Sequence, residues 1–266
     1  MIKKVHYCWF GGKLPANVAA NVEKWKRLNP DFEFCEWNDG NSDVSAYAFG
    51  RRALEQKRWG FVADIVRLQK LHAEGGVYLD TDVELIRPLN SLAEEGGSLV
   101  MGYMYGCALG TAVIYSPPGH PVIAEVLEEY HRIRPETWPV NNTVFTDYFL
   151  NRVPGFFLNG RRWKSEAARI SLYPKEFFEQ PAFVRERGLS IHHFSGSWMP
   201  KKEGAAYRTE GGGASHKVKW LKRKVRTFIA LLRSEYRLAY AGARLGMRRP
   251  RISFWKNTEP PKKSTP

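Results

Sequence analysis

The segment Asp80-Thr81-Asp82 carries two carboxylates at positions i and i+2, directly after the apolar residues 77–79. Alternate side chains of an extended chain point to the same face, so the two aspartates can hold one hard cation between them. Such a cation could bridge a diphosphate and neutralise the leaving group of a nucleotide-activated substrate. A solvated strand end is the alternative interpretation.

A phosphatase is a further interpretation, because residues 79–84 partly match an apolar strand followed by D-x-D-x-[TV]. That chemistry needs another acidic pair downstream to hold magnesium. Asp147 is the only aspartate of the sequence after Asp82, which weakens the phosphatase interpretation.

Asp64 and Arg67 lie three residues apart in a predicted helix and therefore share one of its faces. They could form a local ion pair worth roughly a few tenths of a kcal/mol. Alternatively, Asp64 accepts hydrogen bonds from sugar hydroxyls while Arg67 donates to a hydroxyl or a phosphate oxygen. Spacing alone favours the ion pair and leaves the second role open.

The run HHFSGSW at residues 192–198 is the third group of interest. A histidine at a strand end, followed by small residues, could complete a metal shell begun by aspartates far upstream. Trp9 and Trp198 stand at the edges of predicted loops, where a flat side chain can stack on a base or a sugar. The structural alternatives are a histidine and two tryptophans that only pack in the core.

The elements that must position these residues alternate between strand and helix over the first 80 residues. Apolar patterns predict strands at 4–10, 32–37 and 77–79 and helices over 15–28, 46–57 and 61–74. This alternation predicts an α/β fold with a parallel sheet, in which ligands bind beyond the carboxyl ends of the strands. Gly11-Gly12 and residues 80–82 both lie at such ends.

The middle of the chain mixes both kinds of element. We predict strands at 112–115, 170–173 and 189–193 and a helix over 121–134. Glycines and three prolines interrupt the uncharged run 96–124, which favours two buried strands over a membrane span. Polar residues 141–143 and Asp147 stand in an apolar region and could line the acceptor side of a cleft.

The formal net charge of +14 belongs entirely to the end of the chain. Residues 1–200 hold 23 Lys and Arg and 23 Asp and Glu, whereas residues 201–266 hold 18 and 4. We therefore predict a neutral globular domain over 1–200 and a basic extension over 201–266, which opens with a glycine-containing linker at 201–215.

The extension also has a helical period. Apolar residues recur every three or four positions: Val218, Leu221, Val225, Phe228, Leu232, Tyr236 and Ala239. Basic residues flank this stripe, and Glu235 is the only acid between Lys217 and Arg251. The pattern is typical of a helix lying in an anionic membrane surface. The alternative is a helix that packs its stripe on the globular domain.

Three segments together resemble glycosyltransferase family 32, the capsular polysaccharide synthesis type. They are residues 5–12 (VHYCWFGG), 63–67 (ADIVR) and 75–82 (GGVYLDTD), and the HHFSGSW run is similar to the closing motif of that family. The spacing of the DxxR and YxDxD residues also resembles the glucosyltransferase domains of large clostridial toxins. The resemblance covers roughly residues 1–200.

The resemblance implies a GT-A fold, a nucleotide-sugar donor with a UDP-sugar favoured, and retention of anomeric configuration. Carried over to this sequence, Trp9 stacks on the nucleotide base, with Trp198 as a second aromatic at the nucleotide sugar. Asp64 and Arg67 hold the transferred sugar, and Tyr78 lies near the ribose.

The resemblance also implies a Mn²⁺ or Mg²⁺ ion. Asp80 would touch the ribose and the metal, Asp82 would bind the metal directly, and His193 would complete the shell. Relatives place a glutamate, a serine or a histidine at that last position.

The predicted function is sugar transfer to a glycan or lipid-linked acceptor in the synthesis of a bacterial surface polysaccharide, such as capsule, exopolysaccharide or lipopolysaccharide. Three cysteines without a C-x-x-C pair, and an N-terminal apolar stretch too short for a secretory signal, predict a cytoplasmic protein at the inner face of the membrane. The alternatives are the phosphatase and a non-enzymatic polyanion-binding protein. We expect no nucleic-acid partner, since phosphate tracking needs no apolar stripe.

Overall fold

The computed structural model describes residues 1–134, 136–195 and 216–246. The strands are β1 Lys4–Cys8, β2 Glu33–Trp37, β3 Gly76–Leu79, β4 Val83–Leu85, β5 Leu99–Met104, β6 Ala108–Ser116, β7 Trp163–Ser165, β8 Ile170–Tyr173 and β9 Ser190–His192. The α-helices are α1 Ala16–Leu28, α2 Ala48–Glu55, α3 Trp59–Glu74, α4 Pro121–Arg132, α5 Asn141–Arg152, α6 Lys175–Phe178, α7 His216–Arg233 and α8 Arg237–Arg244. Short 3₁₀ segments cover Leu89–Glu95 and Arg185–Arg187. The predicted linker lies outside the described residues.

One sheet has the strand order β2-β1-β3-β6-β5-β8-β7. The predicted parallel pairing is confirmed for its first half, where β1 runs parallel to both β2 and β3. β6 is antiparallel to both of its neighbours, β3 and β5, so the second half of the sheet is mixed. β4 and β9 form a separate antiparallel pair.

Helices cover both faces of the sheet, because its central strands are apolar on both sides. One core contains side chains of α2, α3, α4 and α5 together with one face of the strands. The other contains α1, the 3₁₀ segment Leu89–Glu95 and the opposite face. Neighbouring residues of β1 show the alternation, since Tyr7 belongs to the second core and Cys8 to the first.

The uncharged run 96–124 forms β5, β6 and the start of α4, as the sequence predicts. Within the described residues, no helix is long and apolar enough to cross a bilayer.

The basic extension forms two helices instead of one continuous stripe, because the chain turns between Ser234 and Tyr236. Tyr236 and Ala239 are buried, and the Tyr236 hydroxyl donates to Asp147 Oδ1 at 2.8 Å. Asp147 therefore holds α8, and its predicted place on the acceptor side of the cleft is wrong.

α7 turns its polar face inward. Arg223 and Thr227 are buried, and Gln180 Nε2 donates to Thr227 Oγ1 at 2.7 Å. The stripe residues of α7 are exposed instead: Val218, Leu221, Val225, Phe228 and Leu232. We call these five residues the exposed row. The alternative prediction, a stripe packed on the globular domain, holds only for Tyr236 and Ala239.

Gly76 begins the strand that leads into the Asp80 segment, and its conformation admits no side chain. Its φ is +106°, and an added Cβ would lie 2.5 Å from the carbonyl oxygen of Lys4 in the neighbouring strand. We expect Gly76→Ala to lower the free energy of unfolding by about 1–3 kcal/mol, measured by urea denaturation.

Gly97→Ala is the matched control for that substitution. Its added Cβ would meet no atom of the described residues within 4 Å, and Gly97 does not have a positive φ. We expect its denaturation midpoint to stay near that of the unmodified protein. An equal midpoint for both variants would contradict the close packing of β3 on β1.

Candidate active site

A cleft of ≈ 520 Å³ opens where β1 and β3 end side by side. It brings together six of the predicted site residues: Trp9, Asp64, Arg67, Tyr78, Asp80 and Asp82. Its volume lies in the range of small-molecule sites. Trp198 lies outside the described residues.

Arg67 joins the helix residue Asp64 to the strand-end residue Asp80. Its Nη2 lies 2.9 Å from Asp64 Oδ1, and its Nη1 lies 3.4 Å from Asp80 Oδ1. Nη1 also donates to the carbonyl oxygen of Thr111 at 2.9 Å. The predicted ion pair is therefore present, and it is buried inside a larger network.

The same network orients the carboxylate of Asp80 and influences the pKa of Asp64. The hydroxyl of Tyr78 donates to Asp80 Oδ1 at 3.0 Å, and the guanidinium of Arg67 stacks over the Tyr78 ring at 4.4 Å. Burial raises the pKa of the Asp64 carboxyl to about 6, although the charge of Arg67 opposes this shift. A desolvated carboxylate in a cleft is a strong acceptor for a ligand's hydroxyl groups.

Asp82 is held by the segment that follows β9. Its Oδ2 accepts hydrogen bonds from the backbone N–H of Ser195 at 2.7 Å and from the Ser195 hydroxyl at 2.8 Å. Its Oδ1 lies 3.2 Å from His192 Nε2. Burial opposes ionisation of Asp82, but His192 and Ser195 outweigh it and lower the pKa of the carboxyl.

The structure corrects the choice of histidine in this cluster. Nε2 of His193 lies 3.1 Å from Glu84 Oε2, on the other side of the β4–β9 pair. Adjacent residues of an extended chain point to opposite faces, so His192 faces Asp82 and His193 faces away. His192 replaces the predicted His193 as the histidine of the site.

The side chains of Asp80, Asp82 and His192 can offer three ligand atoms that all lie within 4.8 Å of one another. Two carboxylates and one imidazole are a donor set suited to Mn²⁺ or Mg²⁺. Burial would lower the pKa of His192, but the carboxylates of Glu179 and Asp82 raise it well above its usual value. The negative charge that stabilises a charged imidazole here would also attract a divalent cation.

Asn141 is a site residue whose side-chain role the sequence did not reveal. It is buried at the N-terminal end of α5 and lines the cleft, where its Nδ2 lies 3.5 Å from the carbonyl oxygen of Asp64. Its Oδ1 has no hydrogen-bond partner among the described residues. A buried acceptor without a partner is costly, so a ligand hydroxyl is a suitable partner.

Trp59 is a second addition to the predicted site. It lines the cleft beside Trp9, and its indole lies so close to Gly11 that an added Cβ there would be 2.2 Å from its Nε1. Gly11, the predicted strand-end glycine, therefore leaves space for the Trp59 indole, which forms part of the cleft wall.

Residues 15–98 match the family described as "Glycosyltransferase sugar-binding region containing DXD motif". The matched segment runs from α1 to the 3₁₀ segment after β4 and includes Asp64, Arg67, Tyr78, Asp80 and Asp82.

Two curated proteins are similar to part of the chain. Over 156 residues, which cover 47% of this chain and 24% of the relative, it is 24% identical to "Subversion of eukaryotic traffic protein A" of Legionella pneumophila subsp. pneumophila. Over 116 residues, 44% of this chain and 17% of the relative, it is 30% identical to an uncharacterized protein of Arabidopsis thaliana. The chain spans about a quarter or less of these relatives.

Solved structures of glycosyltransferases are also similar to part of the chain. The PaToxG glycosyltransferase superposes with a TM-score of 0.47 at 18% identity, covering 57% of this chain and 69% of that one. A glycosyltransferase involved in glycosylation of the major capsid of PBCV-1 superposes with a TM-score of 0.45 at 11% identity, covering 73% and 95%.

The match identifies a DXD sugar-binding region of the glycosyltransferase type within the chain, as the motifs predict. The predicted α/β fold class is confirmed, with helices on both faces of the sheet and the Asp80 segment at the end of β3.

Proposed function

We propose that the protein transfers a sugar from a nucleotide-sugar donor, with a UDP-sugar favoured, to a glycan or lipid-linked acceptor. The observation that carries this proposal is a single cleft that joins the Asp80–Asp82–His192 cluster to the buried Asp64–Arg67 pair. The cluster suits a diphosphate neutralised by a cation, and the pair suits the hydroxyls of a sugar. A nucleotide sugar carries both of these groups in one molecule.

Asp80, Asp82 and His192 would hold Mn²⁺ or Mg²⁺. When bound, the ion would neutralise the diphosphate that leaves the sugar. Ser195 and Tyr78 orient the two carboxylates through the hydrogen bonds described above. We propose the ribose as a further contact of Tyr78 and Asp80.

Asp64 and Asn141 would bind the transferred sugar through acceptor atoms that face the cleft. Arg67 already donates to Thr111 and pairs with Asp64 and Asp80. We therefore propose that it acts mainly by fixing these carboxylates. Trp9, with Trp198, is proposed to stack on the base.

The narrower features of the prediction remain proposals. On the resemblance of the motifs we propose that the protein belongs to family 32 and is related to the clostridial toxin domains. On the same basis we propose that it retains anomeric configuration and acts in the synthesis of bacterial surface polysaccharide.

A hydrolysis screen tests the proposed donor class. Purified protein is incubated with UDP-, GDP- and CMP-sugars in the presence of Mn²⁺, and the release of free sugar and nucleotide is measured by chromatography. We expect slow release from one nucleotide class and its loss in excess chelator. Release of phosphate from aryl phosphates, with no turnover of any nucleotide sugar, would support the phosphatase instead.

We also propose that the enzyme binds the anionic inner face of the cell membrane through α7. The helix buries polar side chains and exposes the apolar residues of the exposed row, Val218, Leu221, Val225, Phe228 and Leu232. A contiguous apolar surface in contact with water is unfavourable and often marks an interaction site. Exposed basic residues border that row, including Lys222 and Arg226. An apolar row bordered by cations fits the interface of an anionic bilayer.

Sedimentation with vesicles tests the membrane proposal. We expect the protein to sediment with phosphatidylglycerol-containing vesicles and not with pure phosphatidylcholine. The double variant Leu221→Glu/Phe228→Glu should lower the bound fraction at least about tenfold, because each buried apolar side chain contributes roughly 1.5–3 kcal/mol.

Phe157→Glu is the matched control, because Phe157 is an exposed aromatic residue outside the extension. This variant should sediment like the unmodified protein. Equal sedimentation of the double variant, or no sedimentation of the unmodified protein, would contradict the proposal.

A further inference from the structure

Glu179 is a buried carboxylate directly after α6, and it contacts the site without lining the cleft. Only 1% of the residue is exposed. Its Oε2 lies 2.8 Å from His192 Nδ1, and its backbone oxygen accepts the N–H of His192 at 3.2 Å. Backbone and side chain of one residue therefore hold the same histidine.

We propose that Glu179 is a positioning residue that fixes His192 for metal binding. This inference rests on the proposed metal-dependent function. Nδ1 is the ring nitrogen that meets Glu179, so Nε2 is the nitrogen that faces Asp82 at 3.2 Å. With Nδ1–H donating to the carboxylate, Nε2 is the ring nitrogen that can offer a lone pair to an ion held by Asp80 and Asp82. A carboxylate behind a metal-binding histidine sets both ring orientation and tautomer in this way.

Gly110 of β6 makes room for this carboxylate. A Cβ at position 110 would lie 2.2 Å from Glu179 Oε1 and 2.8 Å from its Cδ. Any larger residue would push Glu179 away from its present place. The absence of a side chain at this point of a fully buried strand is thus explained by the Glu179 carboxylate.

Phe194 completes the support of His192. Its ring lies 4.0 Å from the imidazole, measured between centroids, at an angle of 33°. The imidazole is therefore confined by a ring on one side, Glu179 at Nδ1 and Asp82 at Nε2. Of these contacts, the one to Glu179 is furthest from the cleft, and it can be removed without changing a residue that would touch substrate.

The test is Mn²⁺ binding by the full chain without any nucleotide, measured as free Mn²⁺ by electron paramagnetic resonance. We expect Glu179→Gln to raise the Kd for Mn²⁺ by about 10- to 100-fold. Glu176→Gln is the matched control, since Glu176 belongs to α6 itself and pairs with Lys175 and Lys224 instead of the histidine. It should leave the Kd unchanged.

A second pair of variants tests the same contact from β6, in case Glu179→Gln fails to fold. Gly110→Ala displaces the carboxylate, whereas Gly102→Ala on the paired position of β5 meets the ring of Phe178 at 2.9 Å. Both substitutions add a methyl group at a buried glycine of the same sheet. We expect only Gly110→Ala to weaken Mn²⁺ binding.

Three outcomes separate the inference from the proposed function. Weaker Mn²⁺ binding by Glu179→Gln, with turnover restored at saturating Mn²⁺, supports the positioning role. An unchanged Kd in a folded Glu179→Gln protein overturns the inference while the function stands. If the unmodified protein binds no Mn²⁺ at millimolar concentration, both the metal-dependent function and this inference fail.

Discussion

Asp82→Asn should abolish metal-dependent turnover of the nucleotide sugar, with a rate loss of about a thousand-fold or more. The substitution keeps the shape of the side chain and one oxygen but removes the charge that a cation requires. Ser195 can still donate to the remaining oxygen, so the fold around β4 and β9 should persist. Initial rates at increasing Mn²⁺ concentration, with circular dichroism as the check on folding, measure the effect.

Glu84→Gln provides the control for that experiment. Glu84 lies two residues further along the chain, in β4 instead of the turn that holds Asp82, and its carboxylate meets His193 and Arg185 outside the cluster. Its turnover should stay within a few-fold of the unmodified rate. A folded Asp82→Asn protein with near-normal activity, or full activity of the unmodified enzyme in excess chelator, would refute the assignment of Asp82.

The sequence predicts the first half of the sheet because local patterns determine it. The strands around Val5 and Val77 are rich in β-branched and aromatic residues. Close contacts require the glycine pair at the start of β3, since a Cβ would meet Pro118 at Gly75 and Lys4 at Gly76. No comparable local pattern in the sequence indicates that β6 lies between β3 and β5 and runs antiparallel to both. This placement depends on which distant strands pair, and the residues of β5 and β6 are equally apolar.

Helix α5 was not predicted, and its composition explains why. Asn141, Thr146 and Asp147 are buried polar residues that interrupt the apolar period. Their partners come from distant parts of the chain: the N–H of Leu109 donates to Thr146 Oγ1 at 2.9 Å, and the Tyr236 hydroxyl donates to Asp147. Only the tertiary structure satisfies these groups, so the sequence alone shows no helical period there.

The candidate site was predictable where its residues are neighbours in sequence. Asp64 and Arg67 share a face of α3, as predicted. Asp80 and Asp82 come together in a turn between β3 and β4 instead of an extended segment, because the N–H of Val83 donates to the carbonyl oxygen of Asp80 at 2.9 Å. The choice between His192 and His193 could not be predicted, because it depends on the register of β9 against β4. In that register His192 pairs with Val83. A shift of one residue would exchange the two side chains.

The exposed row of α7 shows a similar limit. Periodicity identified which side of the helix is apolar, but not what that side would face. Three inward contacts decide the orientation of α7, through Arg223, Lys224 and Thr227. Polar contacts of this kind have no periodic signature.

Asp64→Asn should cripple sugar transfer while leaving nucleotide diphosphate binding almost unchanged. The buried carboxylate would lose its charge, and a hydrogen bond to a charged acceptor contributes about 1.5–3 kcal/mol, or roughly 10- to 150-fold in affinity for the transferred sugar. The nucleotide contacts Trp9 and the Asp80 cluster in our proposal and should not sense the change. Calorimetric titration with the nucleotide sugar and with the nucleotide diphosphate alone, both in Mn²⁺, separates the two contributions.

Asp147→Asn is the control that makes the Asp64 result specific. Asp147 is also buried and also holds a helix in place, but its partner is Tyr236 of the extension. Asp147→Asn should lower the free energy of unfolding without weakening the binding of the sugar selectively. The ratio of the Kd values for nucleotide sugar and nucleotide diphosphate should therefore be unchanged in the folded variant. If Asp64→Asn weakens nucleotide sugar and nucleotide diphosphate equally, Asp64 serves only as the ion-pair partner of Arg67. The sugar pocket would then have to lie elsewhere in the cleft.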